Sequence, residues 1–229
     1  MSYLYRIKSR IEDEGFLKAV QYMLSICYHG IRDCFYNTAI DVRFSGRRLN
    51  GNSKTSYKHL GANDVYHTSY FVMPHIFKLV PISENDVLVD VGCGKGRVIN
   101  YWLSCKLKNR IIGLELDPEL AKRTSRQFSR WKNVSIIAGD AVSNIPPDGT
   151  IFYFYNPFCE EKVRQFEEAL SGMFKSKPIK LIYYNPKSID LFNNSKWEVK
   201  HLNFENDLGI KRWGRINKFH ELSIVTRKT

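Results

Sequence analysis

Residues 86–99 read DVLVDVGCGKGRVI: an apolar run breaks into three glycines at alternating positions, then resumes as an amphipathic stretch. A glycine-rich turn between a strand and a helix lets backbone approach a ligand closely, and the helix N-terminus that follows favours negative charge. The dinucleotide pattern GxGxxG would need glycine or alanine at position 97, which is Arg97 here. What stands instead is Asp90 two residues before Gly92, Gly94 and Gly96.

The turn opens a regular alternation. Strands are expected over 87–91, 110–115, 134–137, 150–155 and 179–184, with helices over 97–105, 118–130 and 160–174 between them. Strand and helix in alternation imply a parallel sheet. Residues 197–204 and 219–226 read as two further strands joined by a long loop, which suits an antiparallel sheet edge. The expected fold is α/β: a doubly wound, mostly parallel seven-stranded sheet with an N-terminal helical extension.

Upstream the texture differs. Leu4, Ile7 and Ile11 share one helical face, and after Gly15 the set Leu17, Val20, Leu24, Cys27 and Ile31 recurs in steps of three and four, so two short amphipathic helices are expected. From about Asp41 to Asp64 the pattern fails and Gly, Asn, Ser and basic residues dominate, as in a loop or substrate lid. Thr68 or Ser69 is placed to cap a helix through Val72, His75, Ile76 and Leu79, which Pro81 ends. The division expected is 1–80, N-terminal helices and lid loop, and 81–229, core.

With 229 residues, 43% hydrophobic and 25% charged, the chain is neither disordered nor fibrous in composition. The net charge of +12 suits an acidic partner, whether nucleic acid, an anionic membrane surface or a phosphorylated or uronic substrate. No RNA-binding module is recognisable. The five cysteines show no zinc or disulfide spacing and are expected to be reduced, with no metal site. The charged N-terminus and the absence of a long apolar window predict no transmembrane segment and a cytoplasmic chain, with peripheral contact through the N-terminal helices the one membrane option.

Together these residues carry a resemblance. The stretch VLVDVGCGKGRV resembles the first motif of class I S-adenosylmethionine-dependent methyltransferases, and further landmarks follow in order over roughly residues 85–226. The resemblance implies S-adenosylmethionine as cofactor, held by Asp90, Gly92, Gly94, Gly96, Glu115 and Asp140. Glu115, roughly twenty residues past the last glycine, is the implied ribose-binding acid. Asp140, with the Ala141 backbone, is the implied adenine contact, and Asn156 with Pro157 is implied to face the methyl group. Asn156, Pro157 and Phe158 also resemble the Asn-Pro-Pro-aromatic motif of amino-group methyltransferases, but the second proline is absent. A turn shaping the pocket floor is the other reading of this stretch.

On the acceptor side, His59, His67 and His75 are candidate bases, His67 first. Tyr66 and Tyr70 are further candidate bases that equally suit lining the methionine end of the cofactor or packing into the core, while His29, His201 and His220 fall in structural patterns. Arg212 and Trp213, in a loop that interleaves cations with an aromatic over 211–215, suit a phosphate, a sugar face or a stacked base. The expected reaction is methyl transfer to a small-molecule or sugar or glycan acceptor, at a hydroxyl. The rival is amino-group methylation of nucleic acid or protein through the basic loops and Asn156.

Overall fold

The computed structural model describes residues 11–49, 51–204, 207 and 221–228. Seven strands form one sheet in the order β3-β2-β1-β4-β5-β7-β6. They are β1 (Leu88–Val91), β2 (Ile111–Glu115), β3 (Val134–Ala138), β4 (Ile151–Phe154), β5 (Lys180–Tyr184), β6 (Trp197–Asn203) and β7 (Glu221–Arg227). The first five pair in parallel, whereas β7 runs antiparallel to both β5 and β6. The mostly parallel, doubly wound expectation therefore holds, down to the antiparallel edge.

The central strands are apolar but for Asp90, Glu115 and Lys180, because both faces are covered. Val89, Ile112, Phe152, Leu181 and Tyr183 have no exposed surface. Each such side chain contributes roughly 1.5–3 kcal/mol by leaving water. Helices α3 (Arg97–Ser104), α4 (Pro118–Phe128) and α5 (Glu160–Met173) follow β1, β2 and β4. Asp117 caps α4, accepting from Glu119 N at 2.9 Å and Leu120 N at 3.1 Å, with Pro118 at the first helical position.

The N-terminal expectations need correction. The break at Gly15 is present, with φ +89°, and much of the first expected helix lies outside the described residues. The second, α1 (Phe16–Ser45), does not stop near Ile31 but runs on for 30 residues in all, into the segment read as loop. It contains no proline, and its one internal glycine, Gly30, does not end it. The predicted stripe is not buried either: Leu17 is 72% and Leu24 65% exposed. The chain divides into two compact units at Met1–Ile40 and Asp41–Thr229, so residues 41–80 group with the sheet and not with the N-terminal helices as expected.

Helix α2 (Met73–Lys78) forms where expected, but Thr68 does not cap it. Its hydroxyl pairs with the Tyr153 hydroxyl at 2.6 Å, while Ser69 Oγ accepts from Phe71 N at 3.2 Å. All five cysteines are free. Among the described residues no helix is long and apolar enough to cross a membrane.

Candidate active site

The order of strands reverses between β1 and β4, and a crevice at such a switch point, beyond the C-terminal strand ends, is where open parallel sheets bind ligands. A cavity of about 450 Å³ lies there, lined by the ends of β1, β2 and β3 and by the glycine turn. Gly92 (φ +72°) and Gly96 (φ +77°) are required twice over. A Cβ on Gly92 would lie 2.4 Å from Pro157 Cβ, and one on Gly96 would lie 2.4 Å from Phe128 Cε2. The turn is thus wedged between the loop after β4 and helix α4, which holds its backbone against the cavity.

Three carboxylates face the cavity from three adjacent strands. Glu115, 8% exposed, accepts from Gly94 N through Oε2 at 2.8 Å and from Asp117 N through Oε1 at 3.0 Å. It fastens the glycine turn to the end of β2. Asp140 accepts from Val142 N at 3.0 Å and from Lys162 Nζ at 2.7 Å. Asp90 differs: 4% exposed, it has no hydrogen-bond partner among the described residues. Burial first, then the charge of Glu115, push its carboxyl up to about 8.

Residues 59–68 form the opposite wall. This roof is tied down at both margins. Asn63 N donates to Pro157 O at 2.9 Å and Cys159 N to Gly61 O at 2.7 Å, while Val65 N donates to Ser53 O at 2.9 Å. His67 lines the cavity, and its Nε2 lies 2.6 Å from Gly51 O. A carbonyl only accepts, so Nε2 carries the proton and Nδ1 keeps its lone pair. Burial, opposed by this bond and aided by the Arg97 and Lys95 charges, holds the imidazole at about 4, hence neutral at neutral pH. Tyr66, 57% exposed, stands in the same lining, as do Pro157, Phe158 and Ala141.

Several expected site residues are placed elsewhere. Tyr70 is not in the lining; it is 1% exposed and its hydroxyl donates to Asp41 Oδ1 at 2.6 Å. Asn156 is turned away: its Nδ2 donates to Asn185 O, and its Oδ1 accepts from the Tyr183 hydroxyl at 2.9 Å. With φ +41°, Asn156 adopts a left-handed turn that points the amide at the end of β5, not into the cavity. His59 lines the cavity and His75 does not, while His201 Nδ1 pairs with Ser223 Oγ at 3.0 Å. Arg212 and Trp213 lie outside the described residues. Conversely, Arg97, Tyr153, Tyr155 and Lys162 line the cavity without having been singled out for it. For Arg97 a signal existed, a cation opening an otherwise apolar helix face directly after the glycines.

Residues 89–171 match the family model described as a methyltransferase domain. A probable ribosomal RNA small subunit methyltransferase A of Methanosarcina barkeri is 33% identical over 70 residues, 31% of this chain and 24% of that protein. The match thus spans about a quarter of that relative's length. Among solved structures, a precorrin-6y C5,15-methyltransferase from Geobacter metallireducens GS-15 aligns with TM-score 0.50 at 15% identity, over 70% of this chain and 87% of that one. An RNA methyltransferase from Salinibacter ruber in complex with S-adenosyl-L-homocysteine aligns with TM-score 0.51 at 18% identity, over 71% and 92%. At such identities the two structural likenesses speak for the fold.

Proposed function

We propose that the chain, whose residues 89–171 match a methyltransferase-domain family model, is a class I S-adenosylmethionine-dependent methyltransferase that methylates a hydroxyl of a small acceptor, a small molecule or a sugar, admitted beneath the roof at residues 59–68. When bound, S-adenosylmethionine supplies an electrophilic methyl group on a cationic sulfur. The residues present fit that group. Glu115 has one lone pair left on each carboxylate oxygen for a ribose diol, since each already accepts one backbone amide. Asp140 and the Ala141 backbone take the adenine end, and the glycines at 92, 94 and 96 let the turn lie close to the nucleoside. Asp90 offers an unpartnered buried carboxyl to the cationic end.

The observation that carries the acceptor reading is the fixed roof. The loop is tied to Pro157, Cys159 and Ser53 and walls the one cavity of about 450 Å³ that cofactor and acceptor would share, which leaves room beside the cofactor for a small acceptor group only. Positioning within it does most of the work, since an aligned acceptor reaches reactive distance with its freedom already removed. His67 is the acceptor-side base: its Nε2–H is held by Gly51 and its Nδ1 lone pair is available. Tyr155, pushed up to about 12 by burial and then by Tyr66, stays a neutral phenol that orients an acceptor by donating.

The rival, amino-group methylation of nucleic acid, draws on the net charge of +12 and on the RNA methyltransferases among the similar proteins. Against it, the Asn156 amide that would clamp an amino group is engaged by Asn185 and Tyr183. The test is transfer of a tritiated methyl group from S-adenosylmethionine into a cell extract. Label is expected in the dialysable fraction, resistant to nuclease and protease. Label confined to RNA or protein would overturn the small-acceptor reading, and salt-dependent polynucleotide binding would then support the rival.

A further inference from the structure

Helix α1 carries its apolar residues in the open. Leu17, Leu24, Tyr28, Ile31, Phe35 and Val42 are 48–74% exposed, a run of exposed apolar side chains that single-chain proteins seldom carry. With Gln21 and Thr38 they recur in alternating steps of four and three from Leu17 to Val42, the spacing of a coiled-coil seam. At 1.5 Å per residue the helix is about 45 Å long, room for about four such repeats.

Two observations select the occupant of that seam. The first is its symmetry about the point between His29 and Gly30. A second copy of α1 laid antiparallel and centred there sets Tyr28 against Ile31, Leu24 against Phe35 and Leu17 against Val42. Gln21 then falls opposite Thr38, so the two polar positions of the seam meet each other, which a register displaced by one repeat would not give. The second is charge. Exposed Glu12, Asp13 and Glu14 precede the helix, and exposed Arg43, Arg47 and Arg48 end or follow it. Antiparallel pairing brings the acidic end of each copy to the basic end of the other, whereas parallel pairing would set acid on acid. The same acids argue against an anionic lipid surface, the other occupant that an exposed apolar helix face fits. We propose that a second copy of this chain covers the stripe, in a two-fold dimer built on antiparallel pairing of α1, with every contact occurring twice about the axis. The inference uses no residue of the cavity lining, so it stands or falls independently of the proposed function.

The test begins with the unmodified protein. Light scattering coupled to size-exclusion chromatography at micromolar concentration is expected to give twice the 26.8 kDa of one chain. The direction of pairing is read by two thiols: Cys27 and Cys34 are free and exposed, and their spacing of seven puts both on one flank of the seam. Antiparallel pairing sets Cys27 of one copy about 3 Å along the axis from Cys34 of the other. A short bismaleimide is therefore expected to give a covalent dimer whose peptide map joins Cys27 to Cys34. Leu24→Glu combined with Phe35→Glu sets acids against each other in two layers and is expected to give the single-chain mass, with an unchanged circular dichroism spectrum as the check on folding. A single-chain mass for the unmodified protein would overturn the proposal, and flotation of that single chain with phosphatidylglycerol vesicles would make a membrane the occupant instead. A covalent dimer lacking the Cys27 to Cys34 link would overturn it, as would a dimer that survives the paired substitution. The first two measurements need no variant, so a substituted chain that fails to fold leaves the proposal open to refutation.

Discussion

Glu115 and Asp90 are both buried acids at strand ends, yet their surroundings assign them different work. Glu115 accepts two backbone amides, from Gly94 and Asp117, so Glu115→Ala is expected to act twice. Loss of the ribose contact should weaken S-adenosylhomocysteine binding by about 1.5–3 kcal/mol in titration calorimetry. The two orphaned amides should also lower the melting temperature, through an unfolding cost of about 1–3 kcal/mol for each buried group. Unchanged affinity in a folded variant would remove Glu115 from the ribose. The acids and glycines were legible in the sequence because their meaning is local: each sits at a strand end or in a turn that a few neighbouring residues define. The orientation of Asn156 was not legible, because its amide answers to Tyr183 and Asn185, partners brought to it only by the pairing of β4 with β5.

At the scale of elements, two glycines should respond oppositely to alanine. Gly92→Ala would have to adopt φ +72° and would meet Pro157 Cβ at 2.4 Å, so a loss of about 1–3 kcal/mol is expected by chemical denaturation. Gly172→Ala, near the end of α5, meets nothing within 4 Å and has helical backbone, so a gain of about 0.4–1 kcal/mol is expected. Equal responses would mean that the turn is not wedged as described. Strands and core helices were readable to within a residue or two, since periods of two and 3.6 are imposed by burial on each face. Helix α1 was misjudged because its apolar positions are exposed, so amphipathic spacing carried no information about where it ends.

For the molecule as a whole, opposed pKa shifts around one cavity predict a pH profile for the ligand-free protein. The native state holds the Asp90 proton up to about 8, so this stabilisation is present below the ordinary carboxylate value of 3.8 and is lost as pH rises through 8. Glu115, raised chiefly by burial, acts in the same direction. His67, lowered to about 4, contributes in the reverse sense: present above 6.5 and lost as pH falls through 4. Between pH 6.5 and 8 the Asp90 effect acts without opposition from His67, and the melting temperature should fall across that window. Asp90→Asn is expected to flatten that limb and to weaken S-adenosylhomocysteine binding; a slope that survives the substitution would locate its cause elsewhere. The sequence by itself determined the strand–turn–helix order, the switch point it creates and the line of acids along it, because these follow from local periodicity and backbone sterics. Only the tertiary structure decided that residues 59–68 roof the cavity, that Tyr70 and Asn156 turn away, and that Arg97 and Asp90 face it without hydrogen-bond partners among the described residues. Whether a buried polar group has a partner depends on segments far apart in the chain, and no spacing along the chain records it.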